Sequence, residues 1–76
     1  MSPALVMDER GVLCPLPIIH LAQQISSIAV GEIVEVLADD PAAASDIPAW
    51  CSMRGHRYLS AQPRGGHTAY SVERVV

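Results

Sequence analysis

The sequence predicts an α/β (α+β) two-layer sandwich of order β-α-β-α-β-β, a four-stranded mixed sheet with two helices on one face. Two segments repeat apolar residues at helical spacing, and four shorter ones are rich in β-branched or alternating apolar residues. A Pro-Arg-Gly-Gly turn joins the last two. A chain of 76 residues is the size of one domain and buries only about 60–65% of its unfolded surface. Half of its residues are hydrophobic but only 4% are aromatic, with no Phe. The core therefore has to be built from Ile, Val, Leu and Ala.

Leu5-Val6-Met7 reads as a first strand ending at Asp8. A loop follows in which Gly11 is free to take a positive φ. Pro15 to Ile28 reads as a helix, with Ile18, Leu21, Ala22, Ile25 and Ile28 on one stripe and Gly31 as its C-cap. Ile33 to Ala38 is a strand with Val34, Val36 and Ala38 on one face and Glu35 on a partly wet one. The second helix starts with Asp40 as cap and Pro41 at its first position, and ends at Gly55. Pro48 predicts a break near Ser45–Ile47, with Asp46 capping a fresh start. Arg57 to Gln62 and Thr68 to Val76 are strands joined at Pro63-Arg64-Gly65-Gly66.

Charge narrows the function classes. The net charge is −3, and the chain has no Lys and only five Arg, unclustered. Direct nucleic-acid binding, which depends on clustered cations against phosphates, is not expected. The uncharged stretch from Val12 to Gly31 is long enough to span a bilayer, but it contains Pro, His and Gln, so no membrane span is expected. The N-terminus lacks a basic signal-peptide start, which makes the cytoplasm the expected compartment. Cys14 and Cys51 are too far apart for a zinc-type pair and have no ligand neighbours at short spacing, so neither a metal nor a cofactor is expected.

Cys14 is the candidate for chemistry. It falls just before the helical stripe, where it reads as N-cap with Pro15 at the first helical position. A thiol there faces the positive end of the helix dipole, and Arg10 in the same loop adds a second positive charge. Both favour the thiolate, the species that attacks and transfers sulfur. Pro15 and Pro17 occupy positions whose N–H would be free in any case, which leaves Leu16 and Ile18 with the remaining free donors.

Asp8-x-Arg10-Gly11-x-x-Cys14-Pro15-x-Pro17 resembles the Cys-Pro-x-Pro signature of the TusA/SirA-type sulfur-carrier proteins. Asp40-Pro41, Asp46-Ile47-Pro48-Ala49-Trp50-Cys51 and Gly55-His56 resemble that family's second helix. The resemblance runs from about Leu5 to the C-terminus. It implies a β-α-β-α-β-β sandwich in which Cys14 carries sulfane sulfur as a persulfide, set by Arg10, Gly11, Pro15 and Pro17. It also implies a cysteine desulfurase or rhodanese-like donor, and a downstream acceptor in tRNA thiolation, sulfur oxidation or cofactor assembly. Such a protein is a covalent participant in transfer rather than a turnover enzyme. Many relatives carry Lys in the first helix, near the positions of His20, Gln23 and Gln24.

Other residues have plainer readings. Cys51 shares a stripe with Ala44 and Ile47 and reads as a core cysteine, with a resolving thiol for Cys14 as the alternative. Asp39 reads as solvated, and so does His20, with a proton partner or partner contact near Cys14 as its alternative; His56 reads as a cation suited to a helix C-terminus, and Trp50 as core, with a cover over the Cys14 corner as its alternative. Leu13 and Leu16 form a candidate docking patch. The competing functions are a non-covalent protein- or RNA-interaction module of the same fold and a Cys14/Cys51 thiol-redox protein.

Overall fold

In the computed structural model, which describes residues 2–76, the chain runs β1 (Leu5–Glu9), α1 (Leu16–Gln24), a 3-10 turn (Ile25–Ser27), β2 (Ile33–Ala38), α2 (Ala43–Arg54), β3 (Arg57–Pro63) and β4 (Thr68–Glu73). The element order is the expected one. The sheet is ordered β1-β2-β4-β3. β1 and β2 are parallel neighbours, and α1 supplies the crossover that such a pair requires. β4 is antiparallel to both β2 and β3.

Strand periodicity decides which face is covered. Leu5 and Met7 pair with Val34 and Val36, which pair in turn with Val72 and Tyr70. These residues line one face and pack against Leu21, Ile25, Ile28, Ala43, Ile47, Trp50 and Cys51 from the helical side. The opposite face carries the half-buried Glu35, which Arg64 approaches at 3.6 Å. Among the described residues, no helix is long and apolar enough to cross a membrane.

Several boundaries differ from expectation. α1 begins at Leu16 with Pro15 as N-cap and ends at Gln24, shorter than the predicted Pro15–Ile28 helix. Its buried residues are Pro17 and Leu21, a line that Ile25 of the 3-10 turn continues at i+8, and Ala22 is exposed. Ile28 is buried from extended backbone, so Gly31 lies beyond the helix and does not cap it. β4 stops at Glu73 rather than Val76. There the Arg74 guanidinium turns to the carbonyls of Ile28 (2.6 Å) and Ser26 (3.4 Å) at the end of the 3-10 turn, a place where cations are favoured.

α2 also departs from expectation. Its N-cap is Ala42 rather than Asp40, although an Asp40 oxygen still accepts the Ala42 N–H at 3.0 Å. The helix passes through Pro48 without the predicted break. Pro48 deprives only the Ala44 carbonyl of an intrahelical donor. Ala44 is exposed, so water can serve that carbonyl at little cost. The buried stripe is Ala43, Ile47, Trp50 and Cys51, not the one through Ala44. Gly55 ends α2 as expected. It adopts φ 81°, and its N–H returns to the Cys51 carbonyl at 2.9 Å.

His56 does not act as a cation at this helix end. Its ring stacks on Trp50 with centroids 5.2 Å apart, and its Nδ1 accepts the Val75 N–H at 3.2 Å. Burial, reinforced by the nearby Arg74 and Arg54, lowers its pKa below 6.5. Protonation would forfeit the Val75 hydrogen bond. The unfolded chain therefore binds a proton at His56 more readily, and the stability that neutral His56 contributes is present above pH 6.5 and lost as pH falls through its folded pKa. A proton NMR titration is expected to place the His56 midpoint below 6.5; a midpoint above that value would contradict the stacked, neutral ring.

Candidate functional site

Cys14 lies on the loop between β1 and α1, and acidic side chains hold that loop. Gly11 adopts φ 78°, which turns its N–H onto both Asp39 carboxylate oxygens at 3.0 and 2.9 Å. Asp39 is thus a tether rather than a merely solvated residue. Three residues on, the Cys14 N–H donates to Asp40 Oδ2 at 2.8 Å, and this together with the Ala42 N–H lowers the Asp40 pKa. The Cys14–Pro15 peptide is cis. The consecutive Asp39 and Asp40 just after β2 therefore clamp the segment from Gly11 to Cys14.

Cys14 is half-buried and lines a groove of about 380 Å³ between the two helices. Pro15 and Ile18 line it from the α1 side, and Asp46, Ala49, Trp50 and Met53 from α2. Those four α2 residues recur at i, i+3, i+4 and i+7, so they form one face of the helix. Trp50 accordingly belongs both to the core and to the wall beside Cys14. Of the four α2 residues, Met53 is 75% exposed, and Leu13, next to Cys14 in the chain, is 72% exposed. Leu16 is exposed as well.

The electrostatics reverse the expectation of a stabilised thiolate. Cys14 precedes the N-cap Pro15 instead of occupying the cap position. The helix-start donors are already engaged: Leu16 N–H bonds the Leu13 carbonyl at 3.0 Å, and Ile18 and Ile19 N–H both bond the Pro15 carbonyl at 3.1 Å. Leu16 and Ile18 therefore offer the sulfur no free amide. Arg10 is also engaged elsewhere, gripping Asp8 through Nε at 2.8 Å and a terminal nitrogen at 2.7 Å. That grip holds the Asp8 carboxyl down to about 2. The Cys14 Sγ–H donates instead to Asp46 Oδ2. This hydrogen bond to Asp46, then burial, then the negative charges of Asp46 and Asp40 push the Cys14 thiol up to about 11. Asp46 was expected to cap a helix start. Its place on the same α2 face as Trp50 is the signal that relates it to the groove.

The other candidates are placed elsewhere. Cys51 is 1% exposed, and burial pushes its thiol up to about 11. It lies about 140° around α2 from Asp46, and both cysteines are free thiols. His20 is not simply solvated: its Nδ1 pairs with Glu9, a buried carboxyl at the end of β1. Pro17 is buried and anchors the start of α1. Among the described residues, no group of three or more His, Cys, Asp or Glu is placed to hold a metal ion.

Comparison with known proteins agrees on one family. The model of the family described as sulfurtransferase TusA matches residues 6–74. The sulfur carrier protein TusA of Pseudomonas putida strain GB-1 is 34% identical over 73 residues, covering 96% of this chain and 91% of that protein. YrkF of Bacillus subtilis is 32% identical over 65 residues, 86% of this chain, and this chain spans 35% of YrkF's length. The crystal structure of a SirA-like protein from Desulfitobacterium hafniense superposes with a TM-score of 0.76 at 20% identity, covering 95% of this chain and 99% of that one, and so shares the fold.

Proposed function

The chain belongs to the sulfurtransferase TusA family, and from that premise we propose that it is a sulfur carrier that holds sulfane sulfur as a persulfide on Cys14. The observation that carries this reading is the contrast between the two thiols. Cys14 is half-buried and lines a groove, on a loop clamped by Asp39 and Asp40, whereas Cys51 is buried in the core. Arg10, Gly11, Pro15 and Pro17 are its structural setting: an Asp8-bound turn, the positive-φ residue that meets Asp39, and the two ring-stiffened positions at the helix start.

In loading, the Cys14 thiolate attacks the outer sulfur of a donor persulfide. A new S–S bond forms on Cys14, the donor's S–S bond breaks, and the donor cysteine leaves as a thiolate that takes up the proton Cys14 gave up. No external oxidant or reductant is consumed. Delivery is the same exchange in reverse, toward an acceptor thiolate. The partners of a sulfur carrier are a donor protein and an acceptor protein. A cysteine desulfurase or a rhodanese-like protein fits the donor role, and an acceptor in tRNA thiolation, sulfur oxidation or cofactor assembly fits the other. Residues 1–76 act as one carrier domain, working in the cytoplasm, where free thiols persist.

The test is intact mass under non-reducing conditions after incubation with a cysteine desulfurase and cysteine, repeated with a rhodanese and thiosulfate. Sulfur-atom increments are expected that reductant removes and that map to the peptide containing Cys14. A chain that gains no sulfur from either donor is not a persulfide carrier.

A further inference from the structure

Two carboxylates bear on Cys14, and among the described residues no cation pairs with either of them. The groups facing its sulfur are Asp46 from α2 and Asp40 from the β2–α2 loop. α1 and the residue before it contribute Pro15 and Ile18, which do not titrate, and the remaining groove wall is Ala49, Trp50 and Met53. Arg10, the one cation of the loop, is bound to Asp8. The ion pairs among the described residues are Asp8–Arg10, Glu9–His20, Glu73–Arg57 and Glu35–Arg64. None of them involves Asp39, Asp40 or Asp46.

We infer that Asp46 is a positioning residue that locks Cys14 as an unreactive thiol in the free carrier, and that the lock opens when a sulfur-transfer partner brings a cationic side chain onto Asp46. The inference rests on the carrier reading and adds to it a resting state and the chemistry of the partner surface. A cation against Asp46 removes the negative charge that opposes thiolate formation and competes for the oxygen that holds the Sγ–H. The carrier then becomes nucleophilic only where a partner's persulfide or thiolate is at hand. The raised thiol pKa is the solution property expected of the closed lock.

Two partner-free measurements test the lock. The first is the rate of iodoacetamide alkylation of Cys14 against pH in wild type, Asp46→Asn and Asp46→Glu. Asp46→Asn is expected to shift the profile to lower pH and to raise the rate at pH 7.5 by about tenfold or more, since each pKa unit is worth about tenfold in thiolate. Asp46→Glu is expected to stay near wild type. Equal profiles for wild type and Asp46→Asn would overturn the lock. The second is thiol–disulfide exchange at low ionic strength with the cationic disulfide cystamine and the anionic disulfide 3,3′-dithiodipropionate. Wild type is expected to prefer cystamine by about tenfold, and Asp46→Asn to lose most of that preference. A wild type that does not discriminate between them would overturn the cationic-partner half without recourse to any variant. Neither measurement requires Cys14 to carry sulfur. A failure of persulfide loading would therefore refute the carrier reading and leave the lock standing, and the reverse result would refute the lock alone.

Discussion

Cys14→Ser is expected to reduce sulfur uptake from a cysteine desulfurase to background, while Cys51→Ser loads as wild type does. Serine keeps the shape of the side chain and can still donate to Asp46, so the loop and groove should persist. What it lacks is a sulfur atom that can form and release an S–S bond, so the loss is of chemistry and not of fold. Cys51 has that sulfur but no access, being 1% exposed and packed among Ile47, Trp50 and Val72 in the core. A donor persulfide would have to displace the groups packed over it to reach it. Side-by-side intact masses of the two variants and wild type, with circular dichroism to verify folding, decide the point. Normal loading of Cys14→Ser would reassign the carrier site, and loss of loading in a folded Cys51→Ser would indicate that the two thiols work as a pair.

The sheet and both helices were legible because period-two and helical patterns are local properties of the chain. Val34, Val36 and Ala38 alternate inward, Gly55 marks a helix end, and Pro63–Gly66 marks a hairpin. The place of Cys14 on the loop just ahead of α1, with Pro15 and Pro17 following it, was legible. Its electrostatics were not. The helix-dipole reading assumed free amides at the start of α1, but the Leu13 and Pro15 carbonyls take the N–H groups of Leu16, Ile18 and Ile19. The Arg10 reading took closeness in sequence for closeness of charge, and Asp8 captures the guanidinium. Asp46 and Asp40 reach Cys14 across a sequence separation that no local pattern encodes, and together they turn the sign of the expected shift. The uninterrupted α2 was hidden for a related reason: the cost of Pro48 depends on whether the Ala44 carbonyl faces water, which follows from packing.

Ile47→Ala is expected to remove about 2–5 kcal/mol of folding stability. For a chain of this length the total is roughly 4–11 kcal/mol, so this one truncation reaches a large part of it. Ile47 is 0% exposed and belongs to the cluster in which both helices meet the sheet. Its neighbours on the buried stripe, Ala43, Trp50 and Cys51, belong to the same rigid helix, and Val34, Val36 and Val72 lie on paired strands. Neither layer can close easily over a lost side chain, so the cavity term adds to the lost transfer energy. Urea unfolding should show a lower midpoint at unchanged slope, and a loss below about 1 kcal/mol would mean that the core collapses around the gap. Ile47→Val, at about 0.5–1.5 kcal/mol, separates stability from chemistry. Ile47 directly follows Asp46 in α2, so any drift of the helix over a cavity moves the carboxylate that holds the Cys14 thiol. The valine variant should keep the wild-type alkylation profile of Cys14. The alanine variant, even where it remains mostly folded, should show faster alkylation, because the core beneath Asp46 is what holds that carboxylate on the sulfur.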